Sequence, residues 1–518
     1  MADGAELTVD VPLALDSLVL TVPEGSASVK LSGEGAFTDV KAVTVSGAVD
    51  FGSTAIPALE ISANATATVE QRSQIAALTQ NGTLRLAGGD ALTALNVDGT
   101  VTAGKTLAIA KEVNTANLPI SGRTVNIEPG AAITVSTQFR TADGNVNAVS
   151  VVNQTGGTLT CSGGAGSNYK TGAFVLSHWS YITNYSLSGG TLTVPNSAAK
   201  LGADGTGNLT ISGTGTANLH SVVLRRGTLT VAAGGTLNLG AAAVSADTSV
   251  VDRSGGALTL SGGTLGPWAR TGLSIGGDVT VSETSTVRTT SAEETPQAAT
   301  VTFTGTLAGA GGLKAVGGGV LDVSAATLSL TGALAVTEGT TVKLGAWRPQ
   351  LDALEAGSTL SGIVPTTAEE IDGVVFALGK EVVSAEGITF SVEGWSAVEA
   401  TIADGKLTVR NTTPSPIWKP TAENQAWSDL SLWSNTAAVP TSGAVLLDFR
   451  ALTAPASVEI PAGTVFDSTT LQGEADAACT LTVTLGEGAS LGTLGLSGNA
   501  VLPLAAVNVN TAGLTISE

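Results

Sequence analysis

A glycine-led motif recurs through the middle of the chain and constrains its fold more than any other feature. In each copy, one or two glycines come before Thr-Leu or a close variant. The copies fall at steps of about 7–8 and about 20 residues, which is a solenoid period. The short alternating strand after each turn buries its apolar side chains only when stacked on a neighbouring copy. The copies are Gly156–Leu159, Gly189–Leu192, Gly207–Thr210, Gly227–Leu229, Gly234–Leu237, Gly255–Leu258 and Gly262–Leu265.

This spacing predicts an all-β protein. Three strand-and-turn units of about 7 residues make one coil of about 20, the arithmetic of a right-handed parallel β-helix (solenoid). We expect this β-helix over residues 1–345 and a smaller β-rich, non-solenoid unit over 346–413. The Pro414-Ser415-Pro416 segment is a linker signal. After this linker signal we expect the start of a second β-helix module, over residues 414–518.

Composition agrees with a solenoid. Glycine supplies 65 of the 518 residues, and charged residues are 13%, against roughly 25% in ordinary globular domains. A β-helix needs small residues at its corners and aliphatic β-formers on its inward faces. The 43% hydrophobic content excludes the usual disordered class, which is poor in apolar residues and highly charged.

Charge and hydropathy exclude two classes of partner. The formal net charge is −20, which opposes binding to the phosphate backbone of nucleic acid. No stretch approaches the 18 or so apolar residues of a membrane helix, so this segment is not expected to insert into a membrane. Cys161 and Cys479 lie far apart in sequence, and we expect both to be small core or corner residues rather than a disulfide pair.

Residues 305–345 carry the most specific pattern in the chain. They contain Gly305–Leu307, Gly311–Leu313, Gly317–Leu321 and Gly339–Thr341. This order resembles the autotransporter-associated β-strand repeat, also called the passenger-associated transport repeat. The resemblance implies a bacterial β-helix protein that is extracellular or displayed at the cell surface. It also implies a structural or adhesive role without enzymatic activity, as a rigid stalk that presents binding loops.

The end of the chain echoes its beginning at an offset of about 450 residues. We therefore expect further copies of the same unit in a longer chain. The N-terminus lacks the positive and apolar regions of a signal peptide. Either the protein is intracellular or Met1 stands in place of a removed leader or upstream sequence, and we favour the second. The echoing segments are 458–461 with 9–12, 466–471 with 15–20, and 494–498 with 43–47.

One interval in the motif series is too long and suggests a binding site. From Thr158 to Thr191 there is room for a coil plus about 13 extra residues. The interval concentrates aromatic side chains, whose flat rings and polar tips suit the recognition of glycans or proteins. We predict that they bind a glycan or a host or neighbouring surface protein; alternatively, they cap the core where the coils are interrupted. The candidates are His178, Trp179, Tyr181 and Tyr185.

A second aromatic group opens the last module. Trp418, Trp427 and Trp433 lie close together in sequence, and solenoid ends need to be capped. We expect these three side chains to pack as a plug that shields the first coil of the module.

Sequence signals for catalysis are weak. Gly272–Gly276 matches a nucleophile-elbow pattern, but both histidines precede Ser274 and no helical pattern follows it. Two histidines and two cysteines at scattered positions offer no metal or cofactor site. The competing class is a carbohydrate-active enzyme, a polysaccharide lyase or hydrolase, which would use paired carboxylates on the β-helix. The pairs available are Glu293–Glu294 and Glu369–Asp372, both in expected loops.

Overall fold

The computed structural model shows an all-β protein. Its described part contains no α-helix, and a 3₁₀ turn covers Leu430–Leu432. The described residues are 6–8, 14–22, 29–32, 40–51, 55–69, 74–80, 83–86, 106–109, 112–120, 124–142, 149–164, 171–179, 181–240, 251–253, 255–367, 370, 373–379, 381–382, 384–393, 395, 397–412, 416–420, 425–434, 436, 438–448, 456–472, 479–496 and 504–510.

The chain forms two compact units. The first comprises Met1–Lys343, Pro349–Leu360 and Leu378–Thr389, and the second comprises Leu344–Arg348, Ser361–Ala377 and Phe390–Glu518. Residues 346–413, expected as a separate β-rich unit, are thus divided between the two.

Short strands account for most of the first half of the chain. They are β1 (Glu6–Thr8), β2 (Leu18–Thr21), β3 (Val29–Ser32), β4 (Val43–Ser46), β5 (Ala48–Asp50), β6 (Ala55–Ile61), β7 (Thr66–Val69), β8 (Gln74–Gln80), β9 (Thr83–Leu86), β10 (Thr106–Ile109), β11 (Glu112–Ile120), β12 (Thr124–Ile127), β13 (Ala132–Thr141), β14 (Ser150–Cys161), β15 (Phe174–Leu176), β16 (Ile182–Leu201), β17 (Thr206–Ile211), β18 (Thr216–Leu224), β19 (Thr228–Ala232), β20 (Thr236–Leu239) and β21 (Val251–Arg253).

The pattern of short strands continues through residue 392. These strands are β22 (Ala257–Ser261), β23 (Thr264–Pro267), β24 (Gly272–Ile275), β25 (Val279–Glu283), β26 (Ser285–Arg288), β27 (Thr300–Phe303), β28 (Thr306–Gly309), β29 (Leu313–Val316), β30 (Val320–Asp322), β31 (Thr327–Leu330), β32 (Leu334–Val336), β33 (Thr341–Gly345), β34 (Leu351–Leu354), β35 (Thr359–Ile363), β36 (Gly373–Ala377) and β37 (Thr389–Val392).

Most strands of the first unit pair in parallel with a strand one return of the chain later, and we call each such return a coil. One ladder consists of β14, β16, β18, β20, β23 and β26. It pairs six threonines in register, some from the glycine-led motif and some from similar short strands beside it. The chain therefore comes back to the same register in successive coils, as the repeat predicted. The threonines are Thr158, Thr191, Thr216, Thr236, Thr264 and Thr286.

The residue after each of these threonines points into the core. Successive strand residues face opposite sides of a sheet, so an apolar residue after each threonine stacks on its counterpart in the next coil. Each of these side chains is fully buried, and together they form a continuous apolar column. The column consists of Leu159, Leu192, Ala217, Leu237, Leu265 and Val287.

Two glycines of the motif are required where coils stack. Gly190 has a φ of +74°, in the left-handed region that side chains other than glycine disfavour, and Gly157 in the preceding coil has a φ of +64°. A Cβ added at Gly190 would lie 2.2 Å from the carbonyl oxygen of Gly157. The motif therefore uses glycine both for its turn and for the close approach of two backbones.

Asparagine side chains add hydrogen bonds between coils. The Nδ2 atom of Asn153 donates to Oδ1 of Asn126 over 3.0 Å, and that of Asn238 donates to Oδ1 of Asn218 over 2.7 Å. The same type of bond joins Asn208 to Asn184 over 2.9 Å. Each such bond contributes roughly 1 kcal/mol, so stacked amides favour the observed register.

Three strands between residues 373 and 411 form an antiparallel sheet. Strand β36 pairs with β39 (Lys406–Asn411), which also pairs with β38 (Val398–Ala403). Asp404 and Gly405 form the two-residue connection between β38 and β39, with φ values of 51° and 70°. Positive φ at both positions is typical of the type I′ turn that closes tight hairpins.

The second unit returns to parallel pairing after residue 416. Its strands are β40 (Ile417–Trp418), β41 (Trp433–Ser434), β42 (Ser442–Asp448), β43 (Ala456–Ile460), β44 (Val465–Gln472), β45 (Cys479–Leu485), β46 (Thr493–Leu496) and β47 (Leu504–Asn510). Strands β40, β42, β44 and β46 form one parallel series, and β43, β45 and β47 form another.

The three tryptophans at the start of this module are buried together, as the sequence predicted. Trp418, Trp427 and Trp433 are 1%, 3% and 7% exposed. The rings of Trp427 and Trp433 meet edge to face at 4.7 Å, and the Nε1 of Trp433 donates to the carbonyl oxygen of Trp427 over 2.9 Å. Phe466 of β44 lies 5.9 Å from Trp427, so the plug packs directly on the parallel strands.

Two distant parts of the chain share one pairing pattern. In the first unit Leu20 pairs with Val45, and in the second Leu471 pairs with Leu496. An isolated parallel bridge lies near each pair. Leu15 pairs with Val40 in the first unit, and Val465 pairs with Ser490 in the second. These pairs lie 450 or 451 residues apart along the chain, the offset of the sequence echo.

Candidate functional site

The overlong interval forms a single coil, because Thr158 pairs directly with Thr191. Its additional residues include strand β15, where Phe174 pairs with Phe139 of the preceding coil and with Ala199 of the following one. A sharp corner follows β15 and leads into β16. Residues 165–170 and Ser180 lie outside the described part of the chain.

Tyr185 belongs to the core, which corrects its assignment to the binding group. It is 1% exposed, and its hydroxyl donates to Oε1 of Gln154 over 2.6 Å. Its ring contacts Phe139 and Phe174, with centroids 6.2 and 5.8 Å away. Desolvation by burial, followed by the charge of Cys161, raises the pKa of Tyr185 well above its ordinary value. On this point, the core-capping alternative was right.

The other three candidates lie at the corner between β15 and β16. Trp179 is 42% exposed, and His178 and Tyr181 are half-buried. The rings of His178 and Trp179 meet edge to face at 5.6 Å. The backbone nitrogens of His178 and Trp179 donate to the carbonyl oxygens of Thr141 and Ala142, over 2.9 and 3.2 Å. The corner is therefore held against the coil before it.

Buried hydroxyls fix the base of this corner. Thr141 and Thr183 join their Oγ1 atoms over 2.7 Å, and the backbone nitrogen of Ser177 donates to Oγ1 of Thr141 over 2.9 Å. Ser177 also donates from its own Oγ to the carbonyl oxygen of Thr206 over 2.7 Å. These bonds tie three successive coils together at Ser177, two residues before Trp179.

The corner uses left-handed backbone at residues other than glycine. Ala142 has a φ of 52° and Ser177 a φ of 57°, while Gly202, one coil further, has a φ of 76°. Ser177 and Gly202 directly follow the paired residues Leu176 and Leu201, and Ala142 lies two residues after Arg140, which pairs with Val175. Left-handed alanine and serine carry about 1–2 kcal/mol of strain each. Strain of this kind persists where the surroundings fix it, and it clusters at functional sites.

Two further apolar residues extend the exposed surface of the corner. Ile182 is 45% exposed and Val149 is 46% exposed. Val149 directly precedes Ser150 and Ile182 directly precedes Thr183, and these two following residues pair with each other in neighbouring coils. Ser150 and Thr183 are fully buried, so the usual pattern is inverted here, with polar residues inside and apolar residues outside. Sequence analysis missed Val149 and Ile182, although this inversion is a signal that alternation reveals.

The possible catalytic groups that lie among the described residues are in strands, in an ion pair or in solvent. Gly272–Ile275 is strand β24, paired with β27, so Ser274 does not lie on a strand-to-helix turn. Glu293 and Glu294 are exposed. Within the described residues, no three His, Cys, Asp or Glu side chains come together in a way that would hold a metal ion.

Glu370 forms an ion pair in the second unit. Its Oε1 lies 2.8 Å from Nε of Arg348, and its Oε2 lies 3.0 Å from Nη2. Burial alone would raise the pKa of Glu370, but the hydrogen bonds from Arg348 and Thr366 and the charge of Arg348 lower it. It is thus held as a carboxylate that braces this segment. Glu369, Ile371 and Asp372 of the same acidic run lie outside the described residues.

Comparison with known proteins gives no relative on which an identification could rest. No protein-family model matches the chain, and no curated protein matches it at a significant level. The described residues include no helix with the length and apolar character needed to cross a bilayer.

Proposed function

We propose that the chain is a non-enzymatic, structural or adhesive segment of a secreted or surface-displayed bacterial repeat protein. Its first unit would be a right-handed parallel β-helix that presents the corner at Trp179. One observation carries this proposal. The stacked coils include one of 33 residues between Thr158 and Thr191, and at that coil large apolar side chains face solvent.

The stacked coils support a mechanical role. Each coil adds about 4.8 Å of length, and a ladder of backbone hydrogen bonds joins it to the next. Threonine and leucine columns extend this register through coils of different lengths. A chain built in this way forms a stiff support whose corners accept additional residues without breaking the ladders.

The corner at Trp179 supports a binding role. Several exposed large apolar side chains in one segment are a feature of interaction sites. Tryptophan and tyrosine dominate the binding energy at such sites when they are anchored. The hydrogen bonds of Ser177 and the edge-to-face contact between the His178 and Trp179 rings hold this corner in place in the absence of a partner.

The extracellular or cell-surface location rests on the resemblance of residues 305–345 to the passenger repeat. In the structure these residues form strands β28 to β33, which pair in parallel with neighbouring strands. The partner in this proposal is a glycan or a surface protein. Nucleic acid is disfavoured by the net charge of −20.

Replacing Trp179 with alanine tests the proposed binding site. We expect binding to any partner found on a glycan or surface-protein array to weaken by at least about tenfold, because an anchored tryptophan contributes about 2 kcal/mol at a hot spot. Trp179 is 42% exposed, so the melting temperature should stay nearly unchanged. Surface plasmon resonance and calorimetry measure the two effects.

Trp395→Ala is the matched control, since Trp395 is half-buried and belongs to the second unit. This variant should bind as the unaltered protein does. Equal loss of binding in both variants, or unfolding of Trp179→Ala several degrees earlier, would show that the corner is not the contact. Robust turnover of pectin, alginate or host glycans by the full chain would contradict the non-enzymatic proposal.

A further inference from the structure

The coils around the corner differ in charge from the rest of the chain. Between residues 129 and 246 the sequence has five lysines or arginines and two aspartates, although the whole chain carries a net charge of −20. A local cationic region in an acidic protein attracts an anionic partner while the remainder repels it. The basic residues are Arg140, Lys170, Lys200, Arg225 and Arg226, and the acidic ones are Asp143 and Asp204.

The structure brings one exposed cation of this set to the corner. Arg226 is exposed, and its Nη1 donates to the carbonyl oxygen of Asp204 over 2.6 Å. The next residue, Gly205, packs on the corner so closely that an added Cβ would lie 1.9 Å from the carbonyl oxygen of Tyr181 and 2.6 Å from that of Trp179. The guanidinium of Arg226 is therefore bonded to the residue that precedes Gly205, and Gly205 itself packs on the backbone of the aromatic corner.

Two other cations in this region are used within the fold. The Nη1 of Arg225 donates to the carbonyl oxygen of Ala203 over 3.0 Å. The ammonium of Lys200 donates to the carbonyl oxygen of Thr171, and burial lowers its pKa. Both side chains are half-buried. Arg226, in contrast, has five N–H donors in a planar fork, and the bond to Asp204 uses one of them.

The combination matches one ligand chemistry. An exposed indole offers a flat apolar face to the C–H face of a sugar ring, and a guanidinium forms paired hydrogen bonds with a carboxylate or sulfate. A neutral glycan would use only the ring, and a small anion would use only the guanidinium.

We propose that the corner formed by Trp179, Tyr181 and Arg226 binds an anionic polysaccharide, with a sugar ring on Trp179 and an acidic group of the polymer on Arg226. This inference rests on the proposed binding role of the corner and adds the class of its ligand. Uronate and sulfate share the required chemistry, and the experiment below separates them.

Isothermal titration with defined oligosaccharides tests the inference on the full chain. The probes are an oligogalacturonate for carboxylate, a heparin oligosaccharide for sulfate and a neutral dextran oligosaccharide of the same length. We expect at least one anionic probe to bind at least about tenfold more tightly than dextran. Raising sodium chloride from 50 to 300 mM should weaken this binding severalfold, because salt screens exposed charges.

Two arginine variants separate a specific site from general attraction. Arg226→Gln should weaken binding of the anionic probe at least about fivefold and leave binding of dextran unchanged. Arg410→Gln removes the same charge from an exposed arginine of the second unit and should have no effect. Trp179→Ala should weaken the binding of both charged and neutral probes.

The outcomes distinguish this inference from the proposed function. If neither anionic probe binds more tightly than dextran, or if Arg226→Gln and Arg410→Gln act alike, the anionic-ligand inference is wrong. The proposed binding role survives that result when Trp179→Ala still abolishes binding to another partner on the array. Both fail when Trp179→Ala changes no interaction.

Discussion

Replacing Gly190 with alanine is expected to destabilise the first unit by about 2–5 kcal/mol. The substitution places a side chain in the left-handed region, where Gly190 has a φ of +74°, at about 1–2 kcal/mol. It also places a Cβ 2.2 Å from the carbonyl oxygen of Gly157, and relief of such overpacking costs typically about 1–3 kcal/mol. Denaturant unfolding, followed by circular dichroism, measures the change in the free energy of unfolding.

Gly272→Ala is the control for this prediction. Gly272 lies in strand β24 of the same unit, and an added Cβ would meet nothing within 4 Å. Alanine in a strand restricts the unfolded chain, so this variant should be as stable as the unaltered protein or slightly more stable. If both alanine variants unfold at the same denaturant concentration, the coils do not stack closely at Gly157 and Gly190.

Replacing Trp427 with alanine is expected to destabilise the second unit by about 3–5 kcal/mol, as large aromatic-to-alanine changes in cores do. Trp427 is 3% exposed and lies between Trp418, Trp433 and Phe466. Its removal leaves a cavity against strand β44. Hydrogen exchange should become faster in Ser442–Asp448 and Val465–Gln472, which contribute buried residues to the same core.

Leu430→Ala provides the comparison, because Leu430 is 44% exposed in the neighbouring 3₁₀ turn. Its loss should change the free energy of unfolding by about 0.5 kcal/mol or less. Unchanged exchange in Ser442–Asp448 after Trp427→Ala would contradict the role of the tryptophans as a plug.

The periodic part of the fold could be predicted from sequence because its cause is local. In the motif, glycine forms the turn, threonine points outward and leucine points inward. The ladder from Thr158 to Thr286 pairs these threonines and their neighbours in register. Coil lengths could not be predicted in the same way. The coil from Thr216 to Thr236 takes 20 residues and that from Thr236 to Thr264 takes 28, because corners accept insertions that leave the ladders intact.

The candidate site was predicted in part for a related reason. The overlong interval revealed where the corner lies, but aromatic type alone did not separate Tyr185 from Trp179. The start of the strand separates them. Tyr185 shares the inward face of β16 with Thr183 and Leu187, whereas Trp179 lies in the corner before that strand begins. The positions of Ala142 and Arg226 depend on contacts between coils that are distant in sequence, which no local pattern contains.

Distances between spin labels test the stacking of coils most directly. In a protein with Cys161 and Cys479 replaced by alanine, paired labels at Thr158 with Thr264, Thr286 or Lys314 are separated by four, five and six coil steps. At about 4.8 Å per step, the account predicts distances of about 19, 24 and 29 Å. Distances that do not increase in equal steps along this series would contradict parallel, in-register stacking.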